Sequence, residues 1–202
     1  LKIPQFDGSV VDFSVDEHPR RDTTVDKLAG LKVLHPEIEG FSITAGNASG
    51  TNDAAAGVAV VERDYAAANG LNVMATVRAW GAAGVPPRDT GLGAVKVIGK
   101  VLDRAGLTPS DIALWEINEA FASVPIAACK EYGLDEELVN FSGSGCSLGH
   151  PIAASGARMV TALVYELQRR GGGIGMAAMC AGGGQGGRPL VSRRQWQGHC
   201  QE

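Results

Sequence analysis

Apolar positions along this chain follow two rhythms, and the places where they change predict its elements. Leu92 to Ala105 sets Val95, Ile98, Val101 and Leu102 on one face, which predicts a helix stopped by Gly106. Ser155 to Arg170 repeats the pattern, with Met159, Leu163 and Leu167 at i, i+4 and i+8. Phe121 to Tyr132 reads as a third helix, ended by Gly133, and Asp64 to Asn69 as a short one before Gly70. Between them lie runs with the shorter strand rhythm: Val73 to Trp80, Ile112 to Ile117 and Gly173 to Met179. Gly57 to Glu62 is apolar and predicts a further, buried strand. Strands alternating with helices indicate an α/β layered sheet.

The first 42 residues are polar and predict loops, with one short helical stretch. There Thr23 and Thr24 precede Val25, Leu28 and Leu31, with Asp26 in the first turn. Ser42 to Gly50 is a run of small residues suited to a backbone packed against a ligand. At the other end, Pro189 removes a ladder donor and Arg188, Arg193 and Arg194 flank it. A central strand is therefore not expected beyond Gly187.

Composition narrows the class. A net charge of -4 leaves no broad basic face for nucleic acid. No apolar run reaches the length of a membrane span, and Leu1 to Pro4 lack the apolar stretch of a signal peptide. A start at Leu1 rather than Met suggests a piece of a longer chain. Cysteines 129, 146, 180 and 200 show no C-x-x-C spacing, so no metal site is expected and free thiols in a cytoplasmic protein are the better reading. The 28 glycines are about twice the usual share. They concentrate in 142–149, 171–175 and 182–187, where tight turns and close backbone approach are implied.

Three blocks carry candidate chemistry: Asn118-Glu119-Ala120-Phe121, Gly149-His150-Pro151 and Cys180-Ala181-Gly182-Gly183-Gly184. An imidazole can deprotonate a thiol whose free pKa is about 8.5. An amide at a strand end can help bind a developing oxyanion. Glycines after a cysteine let backbone N–H groups point at an anionic oxygen. Each block has a plainer reading: a histidine satisfying a carbonyl, an Asn-Glu helix cap, a cysteine that is inert packing. The glycine run is not a dinucleotide fingerprint, because that motif needs an acidic residue about twenty positions further on and only fifteen residues follow Gly187.

Taken in order, the blocks resemble the C-terminal half of the thiolase family, whose members make or break the carbon–carbon bond of 3-ketoacyl-CoA. The resemblance runs from about Ile3 to Gly187 and implies a thiolase-like layered α/β fold. It divides the chain into 1–51, a remnant of a CoA-binding loop domain, 52–187, a C-terminal thiolase domain, and 188–202, a tail outside the family pattern. It implies that His150 activates a nucleophilic cysteine and hydrogen-bonds the thioester oxygen. Asn118 would hold an oxyanion-hole water, Cys180 would exchange a proton with the α-carbon or incoming thiol, and the Gly182 N–H would belong to a second oxyanion hole. Arg20 and Ser49 match CoA-contacting positions, and Ala120 and Phe121 would line the pantetheine channel. Cys129 and Cys146 match no catalytic position.

Coenzyme A is then a substrate, and no bound cofactor is implied. The acyl-accepting cysteine belongs to the family's N-terminal half, so that half is the expected partner, in a homo-oligomer when complete, and the chain alone is expected to be inactive. Two alternatives stay open: a non-catalytic CoA-binding or dimerising remnant, and a β-ketoacyl synthase-class condensing enzyme. Asn-Glu-Ala-Phe with Cys-Ala-Gly-Gly-Gly speaks against the second.

Overall fold

The computed structural model describes residues 1–193. Its centre is a four-stranded mixed sheet in the order β3-β6-β5-β4, made of β3 (Thr76–Gly84), β4 (Leu114–Ile117), β5 (Gly173–Ala181) and β6 (Gln185–Arg193). β4 runs parallel to β5, while β6 is antiparallel to both of its neighbours.

Two helices fill the faces. α3 (Leu92–Ala105) buries Ala94, Val97, Ile98 and Val101 against Trp115, Ile117, Met176 and Leu190. Gly106 ends it in the left-handed conformation that a residue without Cβ adopts freely. α4 (Ser123–Tyr132) packs beside α3, and the Tyr132 hydroxyl donates to the Val95 carbonyl at 2.9 Å. On the opposite face α5 (Ser155–Arg169) buries Met159, Leu163 and Leu167 against Leu114, Ala177 and Val191. The 3.6-residue pattern read from the sequence thus selects the buried stripe of both long helices.

Close approach of α3 to β6 depends on two glycines. A Cβ on Gly93 would lie 2.5 Å from the Gln185 carbonyl oxygen, and one on Gly186 would run into the Gly93 carbonyl. Backbone meets backbone there, with no flexible side chain to yield.

The structure corrects the expectation for the segment after Gly187. β6 continues to Arg193 and pairs on both sides, joining β3 through Ser192, Val191 and Leu190, and β5 through Leu190 to Arg193. Pro189 stands opposite Trp80, and on its other side the β5 register passes from Met176↔Leu190 to Met179↔Gly187. The proline therefore falls in an interruption of the ladder, where a missing N–H costs least. Leu190 and Val191, fully buried, anchor the strand despite the arginines around them. Residues 194–202 lie outside the described part.

A second correction concerns Gly57 to Glu62, which forms no strand. Val58, Val60 and Val61 are exposed, because an apolar run becomes a strand only where another strand offers a ladder, and none does here among the described residues. The first 42 residues hold one element that polarity concealed, a small antiparallel hairpin of β1 (Lys2–Pro4) and β2 (Val10–Asp12). α1 (Val25–Ala29) is capped by Thr24, whose side chain accepts from the Lys27 N–H, and α2 (Arg63–Ala68) by Glu62. Among the described residues no helix is long and apolar enough to cross a membrane.

Candidate active site

Asn118 and His150 lie 32 residues apart in sequence, and the fold brings their side chains to 3.2 Å between Asn118 Nδ2 and His150 Nε2. Asn118 is the first residue after β4, and its N–H donates to the Ala178 carbonyl of β5 at 2.8 Å. Cys180 follows two residues later on β5, so both groups stand at the carboxyl ends of adjacent parallel strands, where open α/β sheets bind ligands. The Gly182–Gly184 turn then reverses the chain into β6. The glycines join two antiparallel strands, in keeping with the rejected dinucleotide motif. Gly182 is exposed and open around its α-carbon.

Three contacts fix the imidazole. Ser155, fully buried at the first turn of α5, places its hydroxyl 2.6 Å from His150 Nδ1. The His150 N–H donates to Asn52 Oδ1 at 3.1 Å and to the Gly50 carbonyl at 3.3 Å. Gly149 takes a φ of 99°, and any Cβ there would collide with the Asn52 side chain. A ring protonated at Nδ1 would donate to Ser155 Oγ and leave Nε2 to accept from Asn118 Nδ2. Burial, and then the Arg158 guanidinium, push His150 below the ordinary histidine range, which favours the neutral imidazole. Burial also raises the Cys180 thiol, so it rests protonated. A neutral imidazole and a protonated thiol are thus held at one end of the sheet.

The small-residue run meets protein rather than open space. The Ser49 N–H donates to the Ala120 carbonyl at 3.0 Å, the Ala122 N–H to the Asn47 carbonyl at 2.8 Å, and Ala48 bridges to Phe121. Ser49, Ala120 and Phe121 are therefore brought together beside Asn118. Arg20 is not gathered with them: it stands exposed in a loop, with its carbonyl capping Thr23. His18, two residues before it, does reach the region and lies against Gly50.

Sequence reading missed the supports. Asn140, at φ 51°, clamps the end of β4 by accepting from the Ile117 N–H and donating to the Ile117 carbonyl, at 2.8 and 2.9 Å. It also donates to Glu119 Oε1 at 2.8 Å, and Glu119 Oε2 accepts from the Cys146 N–H at 3.0 Å. Burial and the Glu119 charge push the Cys146 thiol up to about 11, so it is an unreactive anchor of the glycine loop. Beneath the site, Glu116 is wholly buried with Oε2 at 3.4 Å from an Arg158 nitrogen. A lone carboxylate inside Ile-Ala-Leu-Trp-Glu-Ile was the available signal for that pair.

Comparison with known proteins decides the family. The description "Thiolase, C-terminal domain" matches residues 71–193, and "Thiolase, N-terminal domain" matches residues 1–64. The chain belongs to the thiolase family. It is 41% identical over 192 residues to an acetyl-CoA acetyltransferase of Cupriavidus necator, covering 95% of this chain and 48% of that protein. To the acetyl-CoA acetyltransferase of Escherichia coli it is 42% identical over 181 residues, covering 90% and 45%. The crystal structure of the Bacillus anthracis acetyl-CoA acetyltransferase superimposes with a TM-score of 0.82 at 41% identity, covering 95% and 48%. A human mitochondrial 3-ketoacyl-CoA thiolase in complex with CoA gives 0.78 at 34%, covering 89% and 45%. This thiolase chain spans about half the length of the relatives it matches.

Proposed function

We propose that this thiolase chain supplies the histidine, the proton-exchanging cysteine and an oxyanion-binding asparagine to an enzyme that moves acyl groups between CoA thioesters. The reaction is 3-ketoacyl-CoA plus CoA to acyl-CoA plus acetyl-CoA, or the reverse condensation. The observation that carries this reading is the Asn118–His150 contact, set on the strand next to the one that ends in Cys180.

In the cleavage direction, His150 Nε2 takes the proton of an acyl-accepting thiol, and the thiolate attacks the 3-keto carbon. That thiol is contributed by a segment outside these 202 residues. The bond between C2 and C3 breaks, and the electron pair left on C2 takes the proton of Cys180, releasing acetyl-CoA. The Cys180 thiolate then removes the proton of an incoming CoA thiol, whose sulfur attacks the acyl-enzyme. The enzyme's thioester bond breaks, its thiolate takes back the proton held by His150, and acyl-CoA leaves. Asn118 and the Gly182 N–H offer donors to the oxyanions formed in the two steps. Ser49, Ala120 and Phe121 line the approach for the CoA arm, and Arg20 meets the nucleotide end. The same half-set of groups makes the chain alone inactive and an N-terminal thiolase half its partner.

Activity with acetoacetyl-CoA and CoA is the test, in the chain alone and in a complete enzyme containing it. The chain alone should give background, and joining it to the N-terminal half should restore turnover. In the complete enzyme His150→Ala should lower kcat by about a hundredfold or more. Cys180→Ser should abolish deuterium exchange at C2 of acetyl-CoA while acyl loading persists. Normal exchange in Cys180→Ser would give the proton transfer to another group. CoA binding by the complete enzyme with no turnover would favour a binding or dimerising remnant.

A further inference from the structure

The four-stranded sheet has two outer edges, and they are closed by different means. Beyond β4, Val139 bridges to Trp115, and the Asn140 side chain bonds the backbone of Ile117. Beyond β3 no further strand lies among the described residues. Pro189, opposite Trp80, has no N–H to give. The register is regular from Ala79 to Gly84, so the backbone groups of Trp80, Ala82 and Gly84 point away from β6, toward the open edge. A nine-residue edge with Val77 and Trp80 exposed is a template for pairing with another chain.

The three outward carbonyls are already engaged. Lys96 Nζ donates to the Gly84 carbonyl at 3.2 Å, Lys100 Nζ to that of Ala82 at 2.8 Å, and Arg104 Nη1 to that of Trp80 at 2.6 Å. All three cations stand on the solvent side of α3 at i, i+4 and i+8. Four helical residues rise about 6 Å and two strand residues about 6.8 Å, so each head meets the next outward carbonyl of a strand running the opposite way. The Arg104 guanidinium also lies 5.6 Å from the centre of the Trp80 ring, which holds it at the edge. Hydrogen bonds from cations are stronger than those an incoming strand's amides offer.

We propose that Lys96, Lys100 and Arg104 close β3 to strand addition by a second copy of this chain. Two copies would meet β3 to β3 about a twofold axis, each presenting the same edge. Such pairing strips three charge-assisted bonds from each copy and brings two rows of like charge together across a gap of about 4.8 Å. The edge therefore stays single, although its strand is long enough to pair. This role is independent of acyl transfer and is read in association rather than in activity.

The test combines sedimentation with amide hydrogen exchange, read by nuclear magnetic resonance, on the 202-residue chain at low and high concentration. In Lys96→Met/Lys100→Met/Arg104→Met the amides of Trp80, Ala82 and Gly84 should gain about tenfold or more in protection as concentration rises, together with a rise in mass. The parent should show no such gain at these amides. Neither should Lys32→Met/Arg63→Met/Lys130→Met, which loses the same charge elsewhere. Losing three cations from a net charge of -4 adds self-repulsion, so a gain in the edge variant cannot come from charge balance. Adding Ala82→Pro to the edge variant should abolish the gain, because proline removes an outward donor. No gain in the folded edge variant, or an equal gain in the charge-matched control, overturns the proposal. Should the edge variant fail to fold, Lys100→Met alone is read at the Ala82 amide: protection that rises with concentration supports the proposal, and its absence overturns it.

Discussion

Residues 1–75 and residues 76–193 are built by different means, although both meet at His150. Among the described residues the first buried one is Ala66, and the next is Ala79. The earlier segment is held by turns, caps and a three-residue-per-strand hairpin, with Phe6, Val25 and Val60 largely exposed. The later one has two apolar layers on a four-stranded sheet. Stability is concentrated in one region, yet the site draws on both: Gly50 and Asn52 come from the first, Asn118, Ser155 and Cys180 from the second. A site can borrow anchoring groups from a loosely built segment because the rigid layer fixes the candidate side chains.

Breaking the layered region should have the largest effect. Gly186→Ala drives a Cβ into the Gly93 carbonyl, and neither backbone can move without parting α3 from β6. Denaturant melts should show a loss of roughly 1–3 kcal/mol or more. An unchanged midpoint would mean that the helix–sheet approach is softer than this contact implies.

The buried carboxylate gives the next effect, and it has a defined sign. Burial raises Glu116 from 4.5 to about 7 in the folded chain. The folded state therefore holds a proton that the unfolded state releases, and stability falls as pH rises from about 4.5 to 7. The fall should be on the order of 3 kcal/mol, and Glu116→Gln should flatten it. Melts at several pH values in both proteins would show this; equal slopes would place the pH dependence elsewhere.

A smaller effect sharpens the link between the two regions. Asn52→Ala removes one acceptor of the His150 N–H while the Gly50 carbonyl remains. Global stability should drop by about 1 kcal/mol, and the His150 amide resonance should move. Smallest of all, Thr24→Ala removes the cap of α1 in an exposed segment. Signals of α1 should change, but the main melting transition should stay within about 0.5 kcal/mol. A larger shift would show that the early segment supports the sheet after all.

The sequence by itself determined the long helices, the strand ends at Asn118 and Cys180, and the family. Helical periodicity reports which face is buried, and Asn-Glu-Ala-Phe, Gly-His-Pro and Cys-Ala-Gly-Gly-Gly are local signals that survive without a fold. Only the tertiary structure decided the fate of the ambiguous runs. Gly57 to Glu62, apolar enough for a strand, lacks a ladder partner, while Arg188 to Arg193, with its proline and arginines, acquires two. Hydrogen bonds between strands belong to pairs of segments, so neither outcome is written in one segment alone. For the same reason Asn52, Asn140 and Glu116 gave no motif: each acts through a residue 21 to 98 positions away, and that distance closes only when the elements pack together.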